Sequence, residues 1–236
     1  MNGILLSGGK GTRLKPVTDY ISKHLLPIGD KFVIDFPIQT LISMGCDNVT
    51  VVLGGTHFEQ IVSYLQGGDK FGLNINYVFQ KDPLGIAHAI NLCKNQFKQD
   101  ENFAVLLGDN IFNKPIMWKN SKSAQIALFE TEKLNQFGVA SLQNNKIISI
   151  QEKPQESNSE FTNLAITGAY LFTGQYFEYF EKIQPSKRGE YEITDILKQY
   201  LSDSNLEHIR YEGHWSDAGN HRSLAAINDF FYHHDD

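Results

Sequence analysis

Residues 3–13 read Gly3-Ile4-Leu5-Leu6-Ser7-Gly8-Gly9-Lys10-Gly11-Thr12-Arg13. Residues 3–6 form a short apolar run that predicts a fully buried first strand. It breaks directly into a glycine-rich turn spanning residues 7–16. Glycines at a strand end let backbone N–H groups approach an anion and line up toward it. Thr12 adds a hydroxyl donor, and Lys10 and Arg13 can meet phosphate oxygens, arginine as a planar fork. Two better-known loops fit badly. A Walker A loop needs Gly, four residues and then Gly-Lys-Ser/Thr, which is absent here. A dinucleotide fingerprint needs glycine at position 14, which is Leu14, and an acidic ribose reader where the chain has Gly54-Gly55. The turn therefore points to a nucleotide and away from a P-loop kinase or a dehydrogenase, with a purely structural turn as the alternative. Lys23, just before Leu25-Leu26-Pro27, reads either as plain surface or as a second phosphate contact.

Working outward, short apolar runs alternate with amphipathic stretches. A helix is expected over 35–44, with Asp35 as cap, Pro37 in the first turn and Gly45 as stop. Strands are expected at 49–53, 74–79 and 103–107, with a helix around 57–65 between the first two. Ile86, Ile90, Cys93 and Phe97 fall on one helical face. This rhythm argues for an α/β fold, a mostly parallel sheet with helices on both faces. The rhythm then changes. Strands are expected at 124–131 and 165–172, and residues 138–142 and 146–151 flank Asn144-Asn145 as a hairpin. Helices near 175–180 and 193–201, a strand at 206–211 and a last helix carrying Leu224, Ile227 and Phe231 on one face complete the pattern. Residues 155–160 read as a solvated loop, and 233–236 as a fraying polar tail.

The chain carries 27 acidic and 21 basic residues, a net charge of -6, and no basic run forms a phosphate-backbone track. Nucleic acid is therefore not expected as a partner. Cys46 and Cys93 share no metal-type spacing and read as reduced core residues of a cytoplasmic protein. The N-terminus lacks the basic start of a signal peptide, and no apolar stretch reaches the 18 residues or so that a membrane span needs.

Two aspartates stand out. Asp109 follows the apolar run 105–107 and Gly108, at the carboxyl end of a predicted strand, where open parallel sheets bind ligands. Asp217 lies in His214-Trp215-Ser216-Asp217-Ala218-Gly219 and reads either as a metal ligand or as a helix or turn cap. Together they suggest a Mg²⁺ site, since magnesium takes one or two carboxylates plus substrate phosphates.

These residues make the chain resemble the sugar-1-phosphate nucleotidyltransferases, nearest the glucose-1-phosphate thymidylyltransferases. The anchors are Gly8-Gly9-Lys10-Gly11-Thr12-Arg13-Leu14, Lys23-His24-Leu25-Leu26-Pro27, Gly108-Asp109-Asn110, Glu152-Lys153-Pro154, Arg188-Gly189-Glu190-Tyr191-Glu192-Ile193-Thr194-Asp195 and Trp215-Ser216-Asp217-Ala218-Gly219. The resemblance implies a single domain with a Rossmann-like central sheet of nucleotide-diphospho-sugar transferase type, plus a small antiparallel sugar-binding part. It implies a nucleotide-binding half at 1–115 and a sugar-phosphate half with the terminal helix at 116–236. Leu6, Gly8, Gly9, Gly11, Thr12 and Arg13 would meet the nucleotide, with Arg13 and Lys23 on its triphosphate. Gln80 and Gly85 would read the pyrimidine edge, and Asp109 and Asp217 would hold Mg²⁺. Asn110, Gly138, Glu152, Lys153, Thr167 and Arg188 would bind the sugar phosphate, Lys153 and Arg188 at the phosphate itself.

The chain departs from that pattern at Ser7, where the family has alanine, at Phe137, where near relatives have tyrosine, and at Ser216-Asp217-Ala218 in place of Leu-Asp-Thr. It is also short, and extra C-terminal helices support an interface and a regulatory site in longer relatives, so neither tetramers nor feedback inhibition is expected; a homodimer is compatible. Its start and its final helix read as a whole catalytic chain rather than half of a larger parent. The expected partners are an NTP, dTTP first with UTP or CTP as the alternative, and a sugar 1-phosphate. A rival class is a non-catalytic nucleotide-sugar sensor, which would need neither aspartate. Catalysis would be alignment and charge neutralisation by Arg13, Lys23, Lys153 and the metal, without a protein nucleophile. His24 and His221 are not expected to act as general bases, and His221 is expected to steady the start of the last helix or its turn.

Overall fold

A computed structural model describes residues 1–98, 101–155 and 161–234. In chain order the first elements are β1 (Asn2–Ser7), β2 (Pro27–Ile28), β3 (Lys31–Phe32), α1 (Asp35–Ser43), β4 (Asn48–Leu53), α2 (Phe58–Leu65) and β5 (Asn74–Phe79). There follow α3 (Ile86–Asn91), β6 (Phe103–Leu107), β7 (Asn110–Phe112), β8 (Ala124–Phe129), β9 (Gly138–Gln143) and β10 (Lys146–Glu152). The chain continues with β11 (Thr162–Phe172), α4 (Tyr176–Phe180), α5 (Ile193–Ser202), β12 (Leu206–Arg210), β13 (Trp215–Asp217) and α6 (His221–His234). Contacts divide it into two compact units. The first comprises Met1–Pro83, Leu106–Pro115 and the chain from Gly213 on; the second comprises Leu84–Val105 and Ile116–Glu212.

In the first unit β1, β4 and β5 pair in parallel and in register, so Ser7, Leu53 and Phe79 stand side by side at their carboxyl ends. Ile4, Leu5, Val51 and Val52 are wholly buried, as apolar runs covered on both faces require. Gly8, Gly54 and Gln80 therefore leave the sheet along one edge. Gly108 joins them, its N–H donating to the Leu6 carbonyl at 2.8 Å. Leu14, Leu26, Ile28, Val33, Phe36, Ile111, Ala218 and Ile227 form a core, with Leu224 and Phe231 of α6 packed on it. The expected apolar face of the last helix is the one buried.

Asp35 is not the cap of α1. Ile34 holds the cap position, while the Asp35 carboxylate turns back to accept from the Phe32 N–H at 2.8 Å and from the Tyr64 hydroxyl at 2.8 and 3.0 Å. The carboxylate thus ties β3 and α2 to the helix start. Pro37 does sit in the first turn and Gly45, at φ 80°, follows the helix end.

In the second unit β9 and β10 form the expected antiparallel hairpin, with Asn144 and Asn145 both at positive φ (51° and 59°), as a tight two-residue turn demands. β11 runs antiparallel to β9 and β8, and β12 runs parallel to β8. The single helical face drawn through Ile86, Ile90, Cys93 and Phe97 is broken. α3 ends at Asn91, a 3-10 turn covers Lys94–Gln96, and Phe97 is extended, which puts its ring 4.4 Å from Phe103. Packing of one large ring outweighs helix continuation there.

Cys46 and Cys93 are free and buried, and burial pushes their thiols up to about 11 and about 12. Of the expected loop 155–160, only the exposed Gln155 belongs to the described residues. α6 runs on to His234, into the stretch read as a tail, and Asp235-Asp236 lie outside the described residues. No helix among the described residues is long and apolar enough to cross a membrane.

Candidate active site

The glycine-rich turn is shaped by what lies against it. A side chain on Gly9 would stand 2.8 Å from the Lys23 ammonium, so only glycine lets that cation lie against the loop. A Cβ on Gly8 would come within 3.1 Å of Gln80 Oε1, which places the buried Gln80 beside the turn. The Gly11 carbonyl accepts from the Leu14 N–H at 2.9 Å and the Thr18 hydroxyl at 2.8 Å. The turn Thr12–Leu14 follows, anchored by buried Leu14, and it presents Thr12 and Arg13 outward.

Lys23 and Asp109 are joined in a direct ion pair, their side chains only 12% and 18% exposed. Burial alone would raise the Asp109 carboxyl, but the charge and hydrogen bond of Lys23 outweigh it and hold the group well below the usual carboxylate range. Asn110 donates to the other Asp109 oxygen at 3.0 Å and accepts from Trp215 Nε1 at 2.8 Å. Its buried amide thus aims Asp109. His24 is buried, and burial with the Lys23 charge lowers it to about 3, so its ring is neutral near pH 7.

β13 pairs with β7 and sets Asp217 opposite Asn110, and the Ala218 N–H donates to the Asp109 carbonyl at 2.8 Å. A Cβ on Gly219 would lie 2.8 Å from both Arg13 Nη2 and Asp217 Oδ2, so these two side chains both reach to that glycine. The Asp217 carboxyl is raised by burial and by the Asp109 charge, against the opposing pull of Arg13 and Lys23. The helix-cap alternative for Asp217 fails, because Asn220 Oδ1 accepts from the Arg222 and Ser223 N–H groups at 3.0 and 3.1 Å. His221 is the first residue of α6, and its Nε2 lies 2.9 Å from the Lys15 carbonyl, which ties the helix start to the exit of the glycine loop.

The second unit gathers a separate set. Gly138 pairs with Glu152 across the β9–β10 hairpin. Glu152 Oε2 accepts from the Thr194 hydroxyl at 3.2 Å, while Oε1 faces Arg188 Nη2 at 3.2 Å and Lys153 Nζ at 3.4 Å. Lys153 has φ 41° and precedes Pro154, a backbone state that costs on the order of 1–3 kcal/mol for a non-glycine residue. Its N–H donates to the Phe137 carbonyl at 3.1 Å. Arg188 lies on the loop before α5. Thr167 is buried with its hydroxyl donated to the Ala127 carbonyl at 2.9 Å. Gly85 lies against Tyr191, whose N–H and C=O bond Leu84 and Ala87 at 2.8 and 3.2 Å.

Residues 2–233 match the family described as nucleotidyl transferase. The chain belongs to this family. It is 35% identical over 241 residues to the glucose-1-phosphate thymidylyltransferase of Neisseria meningitidis, covering 98% of this chain and 82% of that one. It is 36% identical over 237 residues to the low-salt glycan biosynthesis nucleotidyltransferase of Haloferax volcanii, covering 97% of this chain and 65% of that relative's length. A Bacillus anthracis structure described as a glucose-1-phosphate thymidylyltransferase superposes with a TM-score of 0.87 at 38% identity, covering 98% and 94% of the two chains. A UDP-glucose pyrophosphorylase structure, at 24% identity and a TM-score of 0.84, shares the fold. The central mixed sheet with flanking helices and an antiparallel part is thus the nucleotidyl transferase architecture.

In this nucleotidyl transferase, no group of three or more His, Cys, Asp or Glu able to hold a metal occurs among the described residues. The donor chemistry of Asp109 and Asp217 nonetheless suits a hard divalent cation. Both offer carboxylate oxygens, the donor type that hard divalent cations take. Several positioning groups were given no role by the sequence. Gly54-Gly55 backs the loop, with a Cβ on Gly54 at 3.2 Å from Gly8 Cα, and Gly219 separates Arg13 from Asp217. Thr194 holds Glu152, and Glu192 holds Arg188, a pairing that the i,i+4 spacing offered.

Proposed function

We propose that this chain transfers the nucleotidyl group of dTTP to a sugar 1-phosphate, with α-D-glucose 1-phosphate as acceptor. The observation that carries the reading is the Lys23–Asp109 pair against the glycine loop, with Arg13 and Asp217 both reaching to Gly219. In the reaction a sugar-phosphate oxygen forms a bond to the α-phosphorus, the bond from that phosphorus to the β-phosphate oxygen breaks in line, and pyrophosphate leaves. The acceptor phosphate is ionised at pH 7, so no protein base is needed, in keeping with a His24 lowered to about 3 and so a poor proton acceptor.

Residues 1–115 are assigned the nucleotide and 116–236 the sugar phosphate. Leu6, Gly8, Gly9, Gly11 and Thr12 line the nucleotide, Arg13 and Lys23 neutralise its phosphates, and Gln80 and Gly85 read the base edge. Lys153 and Arg188 bind the acceptor phosphate. Glu152 accepts from sugar hydroxyls, and Gly138 and Thr167 line the sugar pocket. Asp109 and Asp217 would hold Mg²⁺, and Asn110 keeps Asp109 aimed. When bound, the ion supplies positive charge to the phosphates. The working protein is assigned to the cytoplasm, in keeping with a dTTP donor.

The test is a matrix of dTTP, UTP, CTP and ATP against sugar 1-phosphates, with and without Mg²⁺, read as pyrophosphate release. The expected result is Mg²⁺-dependent turnover, highest with dTTP and glucose 1-phosphate. Thymine and uracil differ by one methyl, which discriminates only about 10–200-fold, so residual activity with UTP is expected. Tight nucleotide binding with no turnover on any acceptor would overturn the reading in favour of a sensor.

A further inference from the structure

Arg188 is the more exposed partner of an unequal pair. Its side chain is 46% exposed, while that of Glu192 is 11% exposed. Glu192 grips the guanidinium through three contacts. Nε lies 3.2 Å from Oε1, and Nη2 lies 2.9 Å from both Oε1 and Oε2. The carboxylate is itself fixed, because the Ser186 hydroxyl donates to Oε1 at 2.7 Å. The same hydroxyl accepts from the Arg188 N–H at 3.2 Å, and the loop closes through the Ser186 N–H on the Glu190 carbonyl at 2.8 Å. Among the described residues nothing bonds Nη1, so that edge of the fork is free to meet an anion.

Two other carboxylates compete for Arg188. Glu152 Oε1 lies 3.2 Å from Nη2 and Glu190 Oε2 lies 3.8 Å away. Arg188 Nη2 thus donates to Glu152 as well as to Glu192. Without Glu192 the guanidinium would pivot on the remaining Glu152 and Glu190 contacts, and its Nη1 edge would lose a fixed direction. The bidentate hold keeps a flexible side chain in one rotamer before the ligand arrives.

We infer that Glu192, braced by Ser186, is a positioning residue that keeps the outer, Nη1 edge of Arg188 aimed at the acceptor phosphate. The inference rests on Arg188 meeting that phosphate, as proposed above. The test is a double-mutant cycle at saturating dTTP with α-D-glucose 1-phosphate varied, using R188A, E192A, the double variant and E192Q. E192A is expected to raise the acceptor KM about tenfold with kcat nearly unchanged, the pattern of lost uniform binding. The dTTP KM stays as in the wild type. E192Q keeps one acceptor oxygen on Nε and Nη2 and recovers most of the loss. The double variant is no worse than R188A alone, because a group acting only through Arg188 adds nothing once Arg188 is gone. Independent, additive losses in the double variant would make Glu192 a merely structural residue and overturn the inference. A wild-type KM in E192A while R188A is impaired would sink the Glu192 role and leave Arg188 standing. A wild-type KM in R188A would remove the Arg188 assignment, and this inference with it.

Discussion

Replacing Gly219 by alanine probes the reacting centre through a single methyl group. Gly219 is buried, and its φ lies outside the left-handed region, so alanine is acceptable to the backbone. The new Cβ would stand 2.8 Å from Arg13 Nη2 and 2.8 Å from Asp217 Oδ2, whereas ordinary contact begins at 3.4 Å. Each side chain must therefore retreat by about 0.6 Å, and a misplacement of about 1 Å at a reacting centre costs roughly 10²-fold in rate. A loss in kcat of about tenfold is expected by that proportion. Both crowded atoms are the ends of flexible side chains, so the cost to folding sits at the low end of the about 1–3 kcal/mol seen for overpacking. That corresponds to a fall in Tm of roughly 2–4 °C for a chain of this length. The assay is pyrophosphate release from dTTP and glucose 1-phosphate, beside a thermal melt. Unchanged turnover would mean that Arg13 and Asp217 do not act at the phosphates. A melt lowered far more than turnover would mean that the gap serves packing rather than chemistry.

Asp109→Asn should lower turnover by about 10²–10³-fold, the scale for removing an electrostatic stabiliser. It also leaves Lys23 without its counter-charge, which costs about 3–5 kcal/mol in a fully buried pair and less here because both side chains keep some exposure; near-normal turnover in a folded variant would refute the assignment. His24, lowered to about 3 by burial and Lys23, refuses a proton that the unfolded chain takes up below about pH 6.5. Stability should therefore fall as pH drops from about 6.5 toward 3, with a His24 contribution of up to about 1.4 kcal/mol per pH unit. Urea unfolding at pH 7 and pH 5 should show a smaller drop in His24→Gln than in the wild type, and equal drops would count against a buried neutral ring. The Ser7 hydroxyl is buried with no hydrogen-bond partner among the described residues, a burden of about 1–3 kcal/mol. Ser7→Ala should raise Tm by a few degrees, and a lowered Tm would show that the hydroxyl has a partner.

What was legible along the chain is what local chemistry writes locally. The apolar run 3–6 breaking into glycines, the β-branched run 49–53 and the Asn144-Asn145 turn each specify their own backbone, so the strands and the hairpin appear where periodicity and turn chemistry put them. Asp109 could be noticed because a carboxylate directly after an apolar strand is out of place unless something charged meets it. Where one local preference met a distant competitor, the distant one decided. Asp35 has the chemistry of a cap, yet Tyr64 and the Phe32 N–H offer its oxygens better-buried partners. The helical face through Phe97 yields to ring packing on Phe103, the first residue of β6.

The site's supporting contacts belong to that second kind, and they explain why a list of expected ligands falls short of a site. Lys23 and Asp109 are 86 positions apart, Asn110 and Trp215 are 105 apart, and Thr194 reaches Glu152 across 42. No periodicity records such pairs, because each is set by where strand ends and helix starts fall in three dimensions. Glu192 is the instructive exception. Its spacing from Arg188 is local and visible, but so is that of Glu190, and composition cannot say which carboxylate wins. The buried position of Glu192 at the start of α5 and its brace on Ser186 decide it. A charged motif thus becomes specific through unequal burial of its members. Exchanging Glu190 rather than Glu192 for alanine should accordingly leave the acceptor KM within about twofold of wild type, as expected for a rim charge held at long range.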